Sequence, residues 1–321
     1  MKFRTEIQVK PATQHILHTD PVLTMGSCFA ENISLLLKKS FFQILENPFG
    51  VLYNPLSIAQ ALRQIIENET FTTDDLIFHQ GEWHSFWHHS TFSHHNQQQC
   101  LKNINEQISR AHQFLQRTRW LIVTFGTAYV YFLKRSNMVV ANCHKLPEKE
   151  FTRRLISIEE IVSAWQNLLI RLQSFNPEIK IIFSVSPIRH LRDGLVQNQQ
   201  SKATLILAVH KIIGQDQNLF YFPAYEILLD DLRDYRFYEA NLTHPNQQAI
   251  DYIWEKFQSM FFNSNTKKTV RELLNFQKRL EHKVQNPDSP TARAFKEQTA
   301  NQWRQLLKKY PYLQSHQIFP D

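Results

Sequence analysis

The stretch Leu23-Thr24-Met25-Gly26-Ser27-Cys28-Phe29-Ala30-Glu31-Asn32 reads as a buried strand that hands a Gly-Ser pair to the start of a helix. A short apolar run closed by glycine and followed by a helical pattern is how a parallel strand enters its crossover. A serine at that junction projects from the carboxyl edge of the sheet, where open α/β folds bind ligands, and its backbone N–H points into the same space. There a hydroxyl can attack an acyl carbon while the N–H stabilises the oxyanion, provided a histidine takes the proton. Capping the helix is the plainer use of a serine in this position, and local context alone favours it.

Working outward, three more apolar runs share the character of the first: Trp120 to Phe125, Ile179 to Val185 and Leu219 to Phe222. Each is followed by turn or helix signals, the pattern of parallel strands buried on both faces. Helices are predicted between them over Glu31 to Lys39, Ser57 to Glu67, Gln98 to Arg117, Ser157 to Phe175 and Ser201 to Ile213. In the fourth, Ile158, Ile161, Trp165, Leu168 and Leu172 recur at three- and four-residue spacing and line one face. Strands alternating with helices predict an α/β three-layer sandwich around a mostly parallel sheet. Ala128 to Lys145 departs from that rhythm and reads as a β-hairpin, with Lys134-Arg135-Ser136-Asn137 as its turn.

Beyond Phe262, the run Asn263-Ser264-Asn265-Thr266 looks like a linker. Two polar helices follow, Thr269 to Lys283 and Thr291 to Tyr310, parted by Asn286-Pro287-Asp288-Ser289-Pro290. The expected organisation is a domain over 1–262 and a basic helical appendage over 263–321 that does not contribute to the site.

Composition narrows the function classes. The chain has 321 residues, 42% hydrophobic and 20% charged, which suits a globular protein with a sizeable core and argues against disorder. No run approaches the ~18 apolar residues of a membrane span. The start, Met1-Lys2-Phe3-Arg4-Thr5-Glu6, has no apolar stretch behind its charge, so a cytoplasmic location is expected. The net charge is +7, yet from residue 264 onward 11 Lys and Arg face 5 Asp and Glu. The body is thus nearly neutral: its charge implies neither nucleic acid nor an anionic substrate, and an anionic partner would meet the C-terminal helices. Only six glycines occur, and none form the GxGxxG or GxxxxGK[ST] loops of nucleotide sites.

Cys28, Cys100 and Cys143, an odd count without a close pair, fit reduced thiols better than disulfides or a cysteine-rich metal site. Histidines crowd His79 to His95, but the adjacent pairs His88-His89 and His94-His95 point apart on regular backbone, and no metal is expected there. Cys28 beside Ser27 is an alternative nucleophile by chemistry, although buried structural thiols are commoner.

Gly26-Ser27-Cys28-Phe29-Ala30 resembles the signature of the GSCFA family, a branch of the SGNH or GDSL-like hydrolases. The resemblance continues in order through Asn47-Pro48-Phe49-Gly50, Phe125-Gly126-Thr127-Ala128-Tyr129, Asn142-Cys143-His144-Lys145, Val185-Ser186-Pro187-Ile188-Arg189-His190, Tyr221-Phe222-Pro223 and His244-Pro245-Asn246. It implies a cofactor-free esterase in which Ser27 is the nucleophile and His244 the base, acting on a small-molecule or carbohydrate ester. His244 is expected just before a helix opened by Pro245.

Two positions depart from the superfamily pattern. Asn241 stands three residues before His244, where an aspartate usually holds the imidazole; the expectation is that the Asn241 carbonyl does so instead. The Gly-x-Asn block that supplies an oxyanion donor becomes Gly126-Thr127-Ala128. Thr127, Asn142 and the backbone N–H of Gly50 are the candidate replacements. The same departures support the alternative of an SGNH-fold binding protein with weak or no chemistry.

Overall fold

The computed structural model describes residues 4–282, 286, 289–316 and 318. Five strands form the parallel central sheet: β1 (Val22–Gly26), β2 (Ile44–Glu46), β5 (Trp120–Phe125), β9 (Lys180–Val185) and β10 (Leu219–Phe222), in the order β10-β9-β5-β1-β2. β3 (Leu76–His79) and β4 (Glu82–Ser85) make a hairpin, while β6 (Tyr129–Leu133), β7 (Met138–Val140) and β8 (Phe151–Leu155) form an antiparallel sheet ordered β7-β6-β8. Every residue of β1 and β5 is buried, which is why these strands are continuous apolar runs rather than alternating ones.

The helices form the two outer layers. On one face α2 (Pro55–Glu67), α3 (Gln97–Arg117), α4 (Ile158–Phe175) and α5 (Leu195–Ile213) pack on Leu23, Val123 and Phe183. On the other, α1 (Cys28–Lys39), α6 (Ala224–Glu226) and α7 (Gln247–Phe261) cover Val22, Trp120 and Ile182. The caps are written in the sequence: Asn54 accepts from Ser57 N–H at the start of α2, with Pro55 in its first turn, and Ser157 and Glu160 form a capping box on α4. Among the described residues, no helix is long and apolar enough to cross a membrane.

The predicted strands, the 128–145 hairpin and the helices are all present, with differences at their ends. The predicted set omitted β2, the β3–β4 hairpin and β8, and α5 starts six residues before Ser201. Pro245 does not open α7: Asn246 caps that helix, and Pro245 instead bridges Tyr238. Lys283 and the Pro287-Asp288 part of the predicted helix break lie outside the described residues.

The tail is seated on the core rather than standing apart from it. In α8 (Ser264–Leu280), Thr266 Oγ1 donates to Ile16 O at 3.0 Å, and Val270 joins the core beneath α1 and α7. Leu273, Phe276 and, from α9 (Pro290–Lys309), Trp303 and Leu306 enclose Phe41, which is only 7% exposed. Truncation after Asn263 is therefore expected to uncover this cluster and lower Tm by about 10 °C or more, since each buried large side chain contributes roughly 1.5–3 kcal/mol. Thermal melts of the full and shortened chains check this; equal Tm values would show a dispensable tail.

Candidate active site

In the central sheet the chain crosses first outward from β1 to β2 and later back past β1 to β5, so the order reverses between β1 and β5. Open α/β sheets bind ligands at the carboxyl ends of the strands flanking such a switch. Ser27 follows β1 there, and Gly126 follows β5. The backbones are pressed together: a Cβ on Gly26, whose φ is +142°, would lie 2.2 Å from Thr124 O, so only glycine fits. A Cβ on Gly126 would lie 3.3 Å from Ser27 Cβ and 3.4 Å from His190 Nε2, which places the serine and that histidine against one point.

Ser27 occupies the N-cap position of α1 but makes no side-chain cap. The caps of α2, α3, α4, α7, α8 and α9 do accept a first-turn N–H, so the exception is specific. Its Oγ is buried without a hydrogen-bond partner. The Ser27 N–H, expected to face an oxyanion, instead donates to Thr124 O at 3.2 Å. In the first turn of α1 Ala30 N–H donates to Ser27 O at 2.7 Å, which leaves the N–H groups of Cys28 and Phe29 as the backbone donors next to the hydroxyl.

Ser27, Thr127, His190 and His244 line one cavity of about 340 Å³. The other predicted donors are engaged elsewhere. Gly50 N–H donates to Asn47 O at 2.7 Å, and Gly126 and Thr127 N–H both donate to Tyr53 O, at 2.7 and 3.0 Å. Asn142 Oδ1 accepts from His144 N–H, and neither Asn142 nor Gly50 is among the cavity residues. Thr127 Oγ1 reaches the cavity but is tied to Ser201 Oγ at 3.1 Å.

Sequence reading missed His190. Its Nε2 is buried without a partner, and its backbone N–H donates to Asn198 Oδ1 at 3.0 Å. Burial pushes its pKa down to about 4, helped by the Lys202 ammonium and Arg153, so the ring is neutral at pH 7. Lys202 is itself fully buried, its Nζ donating to Gly126 O and Ser186 O at 2.7 Å each. With Asn198 and Ser201, which accepts from Ala128 N–H at 2.8 Å, it makes one buried polar face of α5 that holds the ends of β5 and β9. His190 was within reach of the sequence: its block follows a predicted strand, so it had to arrive at the same sheet edge as Ser27.

The His244 turn is pinned by Glu239 N–H to His244 O at 2.8 Å and Arg189 N–H to Thr243 O at 3.1 Å. Asn241 Oδ1 accepts from Thr243 N–H at 2.9 Å, Thr243 Oγ1 at 2.8 Å and His244 N–H at 3.0 Å. Two of these donors are backbone amides, so the amide orientation is fixed. Asn241 Nδ2 therefore meets His244 Nδ1 at 3.0 Å, and the expected carbonyl contact with the ring is replaced by a donor. Thr243 Oγ1, 2.9 Å from the same nitrogen, is the group there that can accept a hydrogen bond from it. Among the described residues no carboxylate bonds His244: Asp231 holds Ile7 N–H and Tyr252 OH, and Asp234 holds Arg236 N–H.

The histidine-rich segment packs rather than converging on one point. His88 stacks on Phe49 at 4.3 Å and bonds Ser85 Oγ at 2.8 Å, and His84 stacks on His144 at 4.4 Å. Among the described residues no group of three or more His, Cys, Asp or Glu is placed to hold a metal ion. Cys28 lines the cavity with its Sγ 3.5 Å from Tyr53 OH.

A parallel α/β sandwich with an uncapped serine at its topological switch and two histidines facing the same cavity belongs to the class of α/β proteins built around a ligand site at the strand ends. The chain is a member of the GSCFA family, whose profile matches residues 21–257, and the profile described as the GSCFA domain protein C-terminal domain matches residues 275–317. No curated protein matches it. Solved structures similar to it include a carbohydrate esterase family 3 protein from Talaromyces cellulolyticus (7% identity, TM-score 0.36, covering 80% of this chain and 99% of that one). An acetyl esterase mutant with acetate ion (9%, 0.34, 79% and 100%) and an acetyl xylan esterase from the rumen bacterium Butyrivibrio proteoclasticus (12%, 0.36, 76% and 66%) are also similar.

Proposed function

We infer that the protein is a serine esterase of SGNH type that removes O-acyl groups from a carbohydrate or similar polar alcohol. The observation that carries this reading is the Ser27 hydroxyl, buried at a helix N-terminus, uncapped, and facing a cavity shared with two histidines. Ser27 Oγ attacks the acyl carbon, and its proton passes to His244 Nε2. As the carbon–alkoxide bond breaks, His244 returns the proton to the leaving alcohol. Water, deprotonated by His244, then attacks the acyl-Ser27 ester and releases the carboxylic acid, restoring the hydroxyl.

For His244 to accept a proton at Nε2, its Nδ1 must carry the other one, and Thr243 Oγ1 is the acceptor that tautomer uses. The developing oxyanion needs donors, and the Gly-x-Asn amide is replaced. His190 fills that place: a neutral imidazole whose Nε2 lies beside Ser27 donates a hydrogen bond to the oxyanion, together with the free N–H of Cys28.

Labelling with a fluorophosphonate tests an activated serine without knowledge of the substrate. One adduct on Ser27, absent in Ser27→Ala, is the expected result. Equal labelling of both proteins sinks the nucleophile assignment, and no labelling of either favours a binding protein on the same fold.

A further inference from the structure

The cavity at Ser27 has a charge that the whole chain does not announce. Arg153, Arg189 and Arg192 line it, and none of its lining residues is Asp or Glu. Two of the three guanidinium groups are answered from outside: Arg153 pairs with Asp193, and Arg192 with Glu148. Arg189 has no carboxylate partner among the described residues. It lies over the Tyr238 ring at 4.3 Å and the Tyr235 ring at 5.2 Å, donates to Tyr238 OH at 2.9 Å, and stands between this cavity and the adjoining hollow lined by Tyr235, Tyr238 and Asp234.

The same residue is fixed in register with the chemistry. Its backbone N–H bonds Thr243 O, beside His244, and its neighbour His190 faces Ser27. A planar guanidinium held against aromatic faces is preorganised to grip an oxyanion, in a low-dielectric wall where an unanswered cation attracts charge strongly. Near-neutrality of the body, read from the sequence, is a sum over the surface; inside the cavity the balance is positive.

Resting on the esterase reading, we propose that the substrate of this site is an anionic O-acyl ester, its carboxylate or phosphate bound by Arg189 while the acyl group sits at Ser27. Arg153 and Arg192, already paired, shape the wall with Tyr129 and Tyr131; Arg189 is the specificity-determining group.

The test compares O-acetylated methyl glucuronoside, O-acetylated methyl glucoside and O-acetylated glucose 6-phosphate. Wild type is expected to show kcat/KM at least about tenfold higher for an acidic sugar than for the neutral one, a charge-assisted hydrogen bond being worth about that much. Whether the carboxylate or the phosphate leads identifies the source of the charge. The preference should shrink as salt rises. In Arg189→Gln the ratio of acidic to neutral rates should collapse towards one, whatever the absolute rates. Calorimetry of Ser27→Ala with methyl glucuronoside, glucose 6-phosphate and methyl glucoside supplies a readout without turnover. Equal hydrolysis of acidic and neutral esters overturns the anion site and leaves the esterase standing. Tighter binding of the acids without hydrolysis of any ester does the reverse, and neither binding nor hydrolysis ends both.

Discussion

His190→Leu is expected to lower kcat about 10²- to 10³-fold while KM changes little, the loss that follows removal of one oxyanion donor. The amides of Ser27, Gly126 and Thr127 all donate to carbonyls of the fold, which leaves the first turn of α1 and the His190 ring. A donor must also be neutral and fixed before the reaction begins. Burial keeps His190 uncharged, and Asn198 fixes its backbone. His190→Gln keeps a neutral N–H donor and is expected to recover part of the rate, which a purely structural role would not predict. If Leu and Gln variants that remain folded by circular dichroism lose activity equally, the ring acts as a base instead. Full activity in His190→Leu would place the oxyanion elsewhere.

A gain, rather than a loss, is expected for Asn241→Asp: at neutral pH kcat should rise at least about tenfold, or ~1.4 kcal/mol in barrier. One carboxylate oxygen would keep the three donors now meeting Asn241 Oδ1. The other would replace Nδ2 opposite His244 Nδ1, turning a donor into an acceptor where the base needs one. In the native chain the productive tautomer forms against the amide and depends on Thr243; in the variant it is the favoured form, and the imidazolium gains an adjacent negative charge. Proton and nitrogen NMR of His244 reads the tautomer directly, alongside steady-state kinetics. A folded variant with unchanged kcat and Nδ1 still unprotonated would overturn this account of the turn.

Much of the fold is legible because its signals are strong and local. β1, β5 and β9 are apolar runs buried on both sides, β10 is a short apolar run at the sheet edge, and the caps at Asn54 and Ser157 mark their helices by ordinary chemistry. β2 escaped because three residues on an edge carry no period. The first turns of α5 escaped because Gln197, Asn198, Gln199 and Gln200 look like a loop, whereas Asn198, Ser201 and Lys202 are turned inward to hold strand ends, a tertiary demand that no local pattern expresses.

The site divides along the same line. Ser27 and Thr127 each follow a strand with a readable end, His244 could be named only through the family resemblance, and the structure brings all three to one cavity. The direction of the Asn241 amide could not be read, because it is set by backbone donors of a turn in which Leu242 adopts a φ of +57°. The positive lining was hidden for another reason: Arg153 comes from β8 while Arg189 and Arg192 come from the loop after β9, and Asp193 and Glu148, which balance two of them in any count of charge, sit outside the cavity.

The cavity is also built from two kinds of material with different histories open to them. Its floor is made by the ends of β1, β5 and β9, locked by α5 and by Gly26, which admits no side chain. Tyr129, Tyr131, Val140 and Arg153 of its wall all come from the small antiparallel sheet, one uninterrupted stretch between β5 and α4. Substitutions confined to that one contiguous segment would reshape this wall while leaving the floor and the Ser27, Arg189 and His244 turns untouched.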